Sequence, residues 1–144
     1  MADTIGRFEG EHAFLSNFFQ QGLEFEGRSY ATAEHAFQAA KTDDPAERER
    51  VRTARTPGGA KALGKRVTLR RGWDAERVSV MEAVLRAKFA DPGLRARLLA
   101  TGAAELVEGN SWNDTFWGVC RGRGQNWLGK LLMKLRAEVE LEGG

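Results

Sequence analysis

Apolar positions follow two periods along this chain, a short alternating one near the start and a helical one after residue 32. Ile5 to Phe8 reads as a short strand, and Leu23, Phe25 and Tyr30 flanking Gly27 in LEFEGRSY read as a hairpin. In TAEHAFQAAK, Thr32 to Lys41, the stripe Ala33, Ala36, Phe37 and Ala40 predicts a helix that can pack into a core. Thr32 is placed to cap it, and Glu34 then sits in the first turn, where the helix dipole favours a carboxylate. Asp44-Pro45-Ala46-Glu47 is a capping box with proline at the first helical position, opening a helix to about Arg55. Thr56-Pro57 opens another, closed near Gly64. Asp74 is the expected cap of a helix through Phe89, with Val80, Met81, Val84, Leu85 and Phe89 on its apolar side. Asp91-Pro92-Gly93 starts a helix ending near Gly102, and Leu106-Val107 reads as a brief strand. Leu128, Leu131, Leu132, Leu135 and Val139 mark a last helix from about Asn126 to Leu141. The expected fold class is α+β, helix-rich with a small antiparallel sheet.

Candidate chemistry gathers on a few of these stretches. Glu34, Gln38 and Lys41 fall within about 60° of one another on a helix, so a carboxylate, an amide and an amine stand in one row. By spacing alone that row is either a site or a solvated stripe with a weak ion pair. Upstream, HAFLSNFF puts Ser16 and Asn17 in a turn anchored to the core by Phe14, Phe18 and Phe19. The turn either presents its hydroxyl and amide to a ligand or satisfies its own backbone. Downstream, EGNSWNDTFWG interleaves Asn110, Asn113 and Asp114 with Trp112, Phe116 and Trp117. Rings that stack beside groups that bind hydroxyls suit a ribose and a base; the other reading is a turn whose tryptophans finish the core. In RGRGQN, Arg121 and Arg123 are suited to phosphate, with Gly122 and Gly124 allowing backbone approach and the following helix N-terminus adding its dipole. The same residues also make a flexible solvated loop.

Other chemistries find less support. Gly59 to Lys65 and Gly124 to Lys130 both have the G-x-x-x-x-G-K spacing of a P-loop, but Arg66 and Leu131 stand where a magnesium-binding Ser or Thr is needed. Both stretches also read as helix, so neither is a nucleoside triphosphatase site. His12, His35 and Cys120 show no ligand spacing, and no metal is expected. Sequence leaves a Cys120–His35 nucleophile open, although a lone cysteine is more often a small core residue.

Composition then narrows the setting. With 144 residues the expectation is one domain, 1–144, with a real core. The balance of 22 basic against 20 acidic residues does not demand nucleic acid as a partner. One cysteine excludes an internal disulfide framework and fits a reducing compartment. No apolar run approaches a membrane span and the start, MADTIGRFEGEH, is polar, so a cytoplasmic protein with no membrane partner is expected.

Read in order, FLSNFF, the Gly27 to Tyr30 step, EHAFQAAK, TPGGAKALGKRV, LRRGW, VMEAVLRAKF, LLATG, LVEGNSWNDTFWGV and GQNWLGKLLMKLR closely resemble the NADAR family, which includes the YbiA-like proteins. The resemblance covers roughly Phe14 to Arg136. It implies a small, largely helical α+β domain that cleaves ribosyl N-glycosidic bonds without a cofactor. One branch of the family acts on ribosylamino-pyrimidine phosphates of early riboflavin synthesis; another removes ADP-ribose from guanine bases. The implied partner is therefore a nucleotide or ADP-ribosyl substrate, ADP-ribosylated DNA or RNA in the second branch, with protein partners left open.

Carried over by position, the family's polar core falls on Ser16, Asn17, Glu34, Gln38, Lys41, Trp112, Asp114 and Trp117. Breaking a ribosyl C–N bond builds positive charge at C1′ and negative charge on the leaving nitrogen. Glu34 or Asp114 would stabilise the first or activate water, while Lys41 acts as an ammonium or, with a lowered pKa, as an amine that attacks C1′. Phe18, Trp112 or Trp117 would stack the base, and Arg121 or Arg123 would hold phosphate. The alternative is a non-catalytic module that binds ADP-ribose or NAD as a sensor.

Overall fold

The computed structural model describes residues 3–143. In chain order they form β1 (Thr4–Ile5), a 3-10 helix (Gly10–Leu15), β2 (Leu23–Phe25), β3 (Arg28–Tyr30), α1 (Ala33–Ala39), α2 (Pro45–Arg52), α3 (Pro57–Gly64), α4 (Trp73–Lys88), α5 (Pro92–Ala100), β4 (Glu105–Leu106), β5 (Gly109–Asn110), β6 (Val119–Cys120) and α6 (Trp127–Leu141). The chain divides into two compact units. One comprises the segment up to Ser16 together with everything from Phe89 on, and the other is Asn17–Lys88.

The Asn17–Lys88 unit is built around α1. The β2–β3 hairpin pairs antiparallel with Leu23 opposite Tyr30, and its turn residues Glu26 and Gly27 both have positive φ (51° and 79°), as a tight two-residue turn requires. Thr32 caps α1 by accepting from the His35 N–H, at 3.2 Å. All 7 residues of α1 are buried, because α2, α3, α4 and β3 pack on it from several sides. Phe37 meets Trp73 of α4 with ring centroids 5.3 Å apart, and Val51, Ala60, Met81, Val84 and Leu85 complete this core. The solvated-stripe reading of α1 is thus excluded by its surroundings.

Local signals set the helix starts. Asp44 and Thr56 accept from the N–H groups of Glu47 and Gly59, each with proline at the first helical position. The capping box is only half made, because Glu47 turns away to accept from Thr42 Oγ1 (2.7 Å) and the Thr68 N–H (2.9 Å). Helix α4 begins at Trp73 rather than after Asp74: Gly72, at φ 77°, turns the chain and its carbonyl takes the Ala75 and Glu76 N–H groups. Asp74 lies in the first turn, where it complements the dipole.

In the other unit, α6 presents Leu128, Leu131, Leu132, Leu135 and Val139 to the core as the stripe predicts, and packs with α5 and β4. β1 pairs with β4 and β5 with β6, both parallel and two residues long; among the described residues the antiparallel strand pair is the β2–β3 hairpin, with one isolated antiparallel bridge between Cys120 and Arg123. The expected strand at Ile5 to Phe8 is Thr4–Ile5, and that at Leu106-Val107 is Glu105–Leu106. Asn126 precedes α6 in the left-handed conformation (φ 55°), and its side chain ties two strand ends together. Its Nδ2 donates to Leu106 O (2.9 Å) and its Oδ1 accepts from the Glu108 N–H (3.0 Å). Asn126→Ala strands both backbone groups and is expected to cost about 2–3 kcal/mol. Chemical denaturation tests this; an unchanged midpoint would mean the two bonds are replaced by water.

Candidate active site

The buried row on α1 is the chemical centre of the Asn17–Lys88 unit. Glu34 is 7% exposed and Gln38 5%, and Gln38 Nε2 donates to Glu34 Oε2 at 2.7 Å, one turn apart as the i, i+4 spacing requires. Burial pushes the Glu34 carboxyl above the ordinary glutamate range; the Gln38 hydrogen bond and then the charges of Lys61, Lys41 and His35 pull the other way. Lys41 lies just past the helix, half-buried, with no ion pair or side-chain hydrogen bond among the described residues. Its ammonium is held below the ordinary lysine range, first by burial and then by Lys65, Lys61 and Arg77, with Glu34 opposing. At Lys41 burial therefore outweighs the opposing carboxylate of Glu34.

Asn17 joins this cluster through its backbone, its carbonyl accepting from the Glu34 N–H at 3.0 Å. Its side chain is 8% exposed; Nδ2 meets Met81 Sδ at 3.4 Å while Oδ1 has no donor among the described residues. Gln38 Oε1 is likewise a buried acceptor without a donor. Two orphan acceptors in one small cluster cost about 1–3 kcal/mol each, a pattern found where a ligand completes the bonding. Phe18 is 41% exposed, more than the buried Phe14 of the same segment. His35 is committed to structure: Nε2 donates to Ala54 O (2.9 Å) and Nδ1 meets Thr32 Oγ1 (2.7 Å). With both nitrogens in use it is no base for a cysteine, and Cys120 is buried with Sγ 3.8 Å from Asn113 Oδ1.

Ser16, Trp112, Asp114, Trp117, Arg121 and Arg123 all belong to the other unit. There the 109–118 loop is held by its own polar side chains. Asn110 Oδ1 accepts from the Trp112 and Asp114 N–H groups, and its Nδ2 donates to Asp114 O. Asp114 Oδ1 accepts from the N–H groups of Phe116 (3.1 Å) and Trp117 (2.9 Å), leaving Oδ2 without a partner among the described residues. Trp112 is 57% exposed, whereas Trp117 is half-buried edge-on to Phe116 at 4.8 Å. Arg121, at φ 53°, and Arg123 are exposed on the turn before α6, and Ser16 is half-buried at the end of the 3-10 helix.

Residues 6–140 match the model of the NADAR domain. The chain belongs to the NADAR domain family. It is 40% identical over 149 residues to the N-glycosidase YbiA of Escherichia coli (strain K12), covering 99% of this chain and 92% of that protein. The NMR structure of the E. coli protein YbiA superposes with a TM-score of 0.87 at 39% identity, over 99% of this chain and 89% of that one. The "Riboflavin biosynthesis protein VVA0006" of Vibrio vulnificus is 38% identical over 90% of this chain, which spans 36% of the length of that relative.

In this NADAR chain the structure adds residues that sequence reading passed over. Lys88 is 1% exposed, in the apolar stripe of α4 with Met81, Val84 and Leu85, its Nζ 5.9 Å from the centre of the Phe19 ring. Burial pushes its ammonium down to about 7. The signal was present: Lys88 continues the Met81, Val84, Leu85 spacing, but a lysine there reads as a helix end reaching for water. Among the described residues no group of three or more His, Cys, Asp or Glu is placed to hold a metal ion.

Proposed function

We infer that this chain is an N-glycosidase hydrolysing the C1′–N bond of a ribosyl nucleotide-type substrate, with Glu34 and Lys41 carrying the chemistry. The observation that carries this reading is a desolvated carboxylate fixed by Gln38 within the field of a lysine that has no ion pair among the described residues. A buried carboxylate is a strong stabiliser of positive charge developing at C1′, since little water screens it. As the C1′–N pair leaves with the base nitrogen, that nitrogen takes up a proton from Lys41, and water adds to C1′ while its proton passes to Glu34. Asn17 Oδ1 is the acceptor proposed for a sugar hydroxyl.

Two substrate classes follow from the family: a ribosylamino-pyrimidine phosphate, in keeping with the name of the Vibrio relative, and guanine carrying ADP-ribose. No described helix is long and apolar enough to cross a membrane. Together with a single cysteine this supports the cytoplasm as the compartment we propose.

The pH dependence of kcat/KM tests the pairing. Glu34 works ionised, so the acid limb lies above the ordinary glutamate value; Lys41 works protonated, so the alkaline limb lies below the ordinary lysine value. The expected profile is a bell narrower than model carboxyl and amine groups give, and Glu34→Gln removes the acid limb with a loss of about 10²- to 10⁴-fold in rate. An acid limb that persists in a folded Glu34→Gln variant would assign the carboxylate role elsewhere.

A further inference from the structure

A cleft of about 320 Å³ lies between the β2–β3 hairpin and α2, within the Asn17–Lys88 unit. Arg28 and Tyr30 of the hairpin line it together with Arg48 and Arg52 of α2, and none of its lining residues belongs to the Glu34, Gln38, Lys41 row. Tyr30 is 6% exposed, and its hydroxyl has no hydrogen-bond partner among the described residues. A buried phenol ordinarily finds a partner; this one lines the cleft instead. Burial pushes it above the ordinary tyrosine range, so it stays protonated and able to donate. The guanidinium groups leave donors over as well. Arg28 makes no ion pair or side-chain hydrogen bond among the described residues. Arg48 uses its Nε–H on Thr42 O (2.5 Å), while its Nη1 lies 3.6 Å from Glu26, beyond hydrogen-bond reach. Arg52 is held by Glu49 through Nε (2.9 Å) and Nη2 (2.5 Å), and its Nη1 donates to Ser29 O (3.2 Å), tying α2 to the hairpin. Three carboxylates also line the cleft: Glu49 is taken by Arg52, Asp43 is exposed, and Glu26 makes only the long, exposed pair with Arg48. Unused donors of Arg28, Tyr30 and Arg48 thus gather in one concave place, an arrangement suited to an acceptor-rich anion.

We propose that the cleft between the hairpin and α2 is a second binding site, in which Arg28, Tyr30 and Arg48 take a phosphate group, free or on a small phosphomonoester. Arg28 and the unused Nη groups of Arg48 bind the phosphate oxygens as charge-assisted donors, and the Tyr30 hydroxyl gives a further bond. The volume is that of a small-molecule pocket. Glu26, in the hairpin turn, competes with the anion for Arg48 and yields because its pair is long and solvated. Arg52 is a positioning residue, fixed by Glu49 and Ser29 so that α2 keeps its place beside the hairpin. The site is separate from Glu34 and Lys41 and stands whether or not the N-glycosidase reading does.

The test titrates inorganic phosphate, ribose 5-phosphate and ribose into the ¹⁵N-labelled full chain, following the backbone amides of 28–30 and 46–52 and the arginine Nε–H signals. In the wild type both phosphates shift these signals saturably, with a Kd in about the millimolar range or tighter, and ribose does not. Tighter binding of ribose 5-phosphate marks a phosphomonoester site, and equal affinity marks a free-phosphate site. Arg28→Ala weakens binding at least about tenfold, the value of one charge-assisted contact. Tyr30→Phe weakens it about three- to tenfold without lowering the melting temperature, because the hydroxyl has no partner among the described residues. Glu26→Gln tightens it, since the competing carboxylate is gone. Three results overturn the proposal: no saturable shift at 28–30 and 46–52 in the wild type, phosphate shifts confined to 34–41 or 121–127, or unchanged phosphate affinity in folded Arg28→Ala and Tyr30→Phe.

Discussion

Lys41→Ala folds normally and releases no measurable base, with kcat lowered by about 10³-fold or more. The expectation follows from where the ammonium sits. It is partly desolvated, next to a buried carboxylate and three other cations, and it makes no ion pair or side-chain hydrogen bond among the described residues. Removing it relieves like-charge repulsion, so thermal stability is kept or slightly raised. Lys41→Arg separates the two roles open to this residue. An arginine restores the charge but neither attacks as an amine nor gives up a proton, so partial rescue marks Lys41 as a charge, and no rescue marks it as proton donor or nucleophile. Circular dichroism confirms the fold and product chromatography reads the rate. Wild-type activity in a folded Lys41→Ala protein would remove Lys41 from the mechanism.

The second large effect is on stability and belongs to Lys88. Unfolded, this lysine keeps its proton up to about pH 10.5; folded, it keeps it only up to about 7. Between those values the unfolded chain binds the extra proton, so this group's contribution to stability falls as pH drops, by roughly 1.4 kcal/mol per unit. Below about pH 7 the ammonium is charged in both states and the penalty stays at its full value. Lys88→Met, which keeps the length of the stem without the charge, is expected to be more stable than wild type at pH 7. The gap shrinks towards pH 10, where the wild-type amine is neutral in the fold. Urea unfolding of both proteins at pH 6, 7, 8, 9 and 10 measures this directly. Parallel curves would mean that Lys88 is charged in the folded protein throughout, held by the groups packed around it.

What was legible in the sequence is local, and what was not depends on packing between distant segments. Caps with proline at the first helical position, Asp44-Pro45, Thr56-Pro57 and Asp91-Pro92, place three helices to within a few residues, because each cap is a bond between near neighbours. The five-residue stripe of α6 is read correctly for the same reason. The parallel pairs β1–β4 and β5–β6 are not foreseeable from two-residue segments, since their partners are set by Asn126 and by tightly packed glycines such as Gly109 and Gly118. At the site, the row Glu34, Gln38 and Lys41 follows from helical spacing, and its likeness to the NADAR family distinguishes it from an ordinary surface row. Its burial does not follow from spacing: a polar row on a short helix reads as a solvated face until α2, α3 and α4 are seen to surround it. The same blindness hid Lys88, and the arginine-lined cleft between the hairpin and α2.

The central claim, that this chain breaks a ribosyl N-glycosidic bond, is tested most directly by a product assay on two substrates side by side. Purified protein is incubated with a ribosylamino-pyrimidine phosphate and with a guanine-ADP-ribosylated oligonucleotide, and free base, sugar phosphate and ADP-ribose are quantified. Release of free base and sugar phosphate from the first, or of ADP-ribose from the second, is the expected result and names the branch. No release from either, while ADP-ribose still raises the melting temperature, would contradict the account and make the chain a binding module.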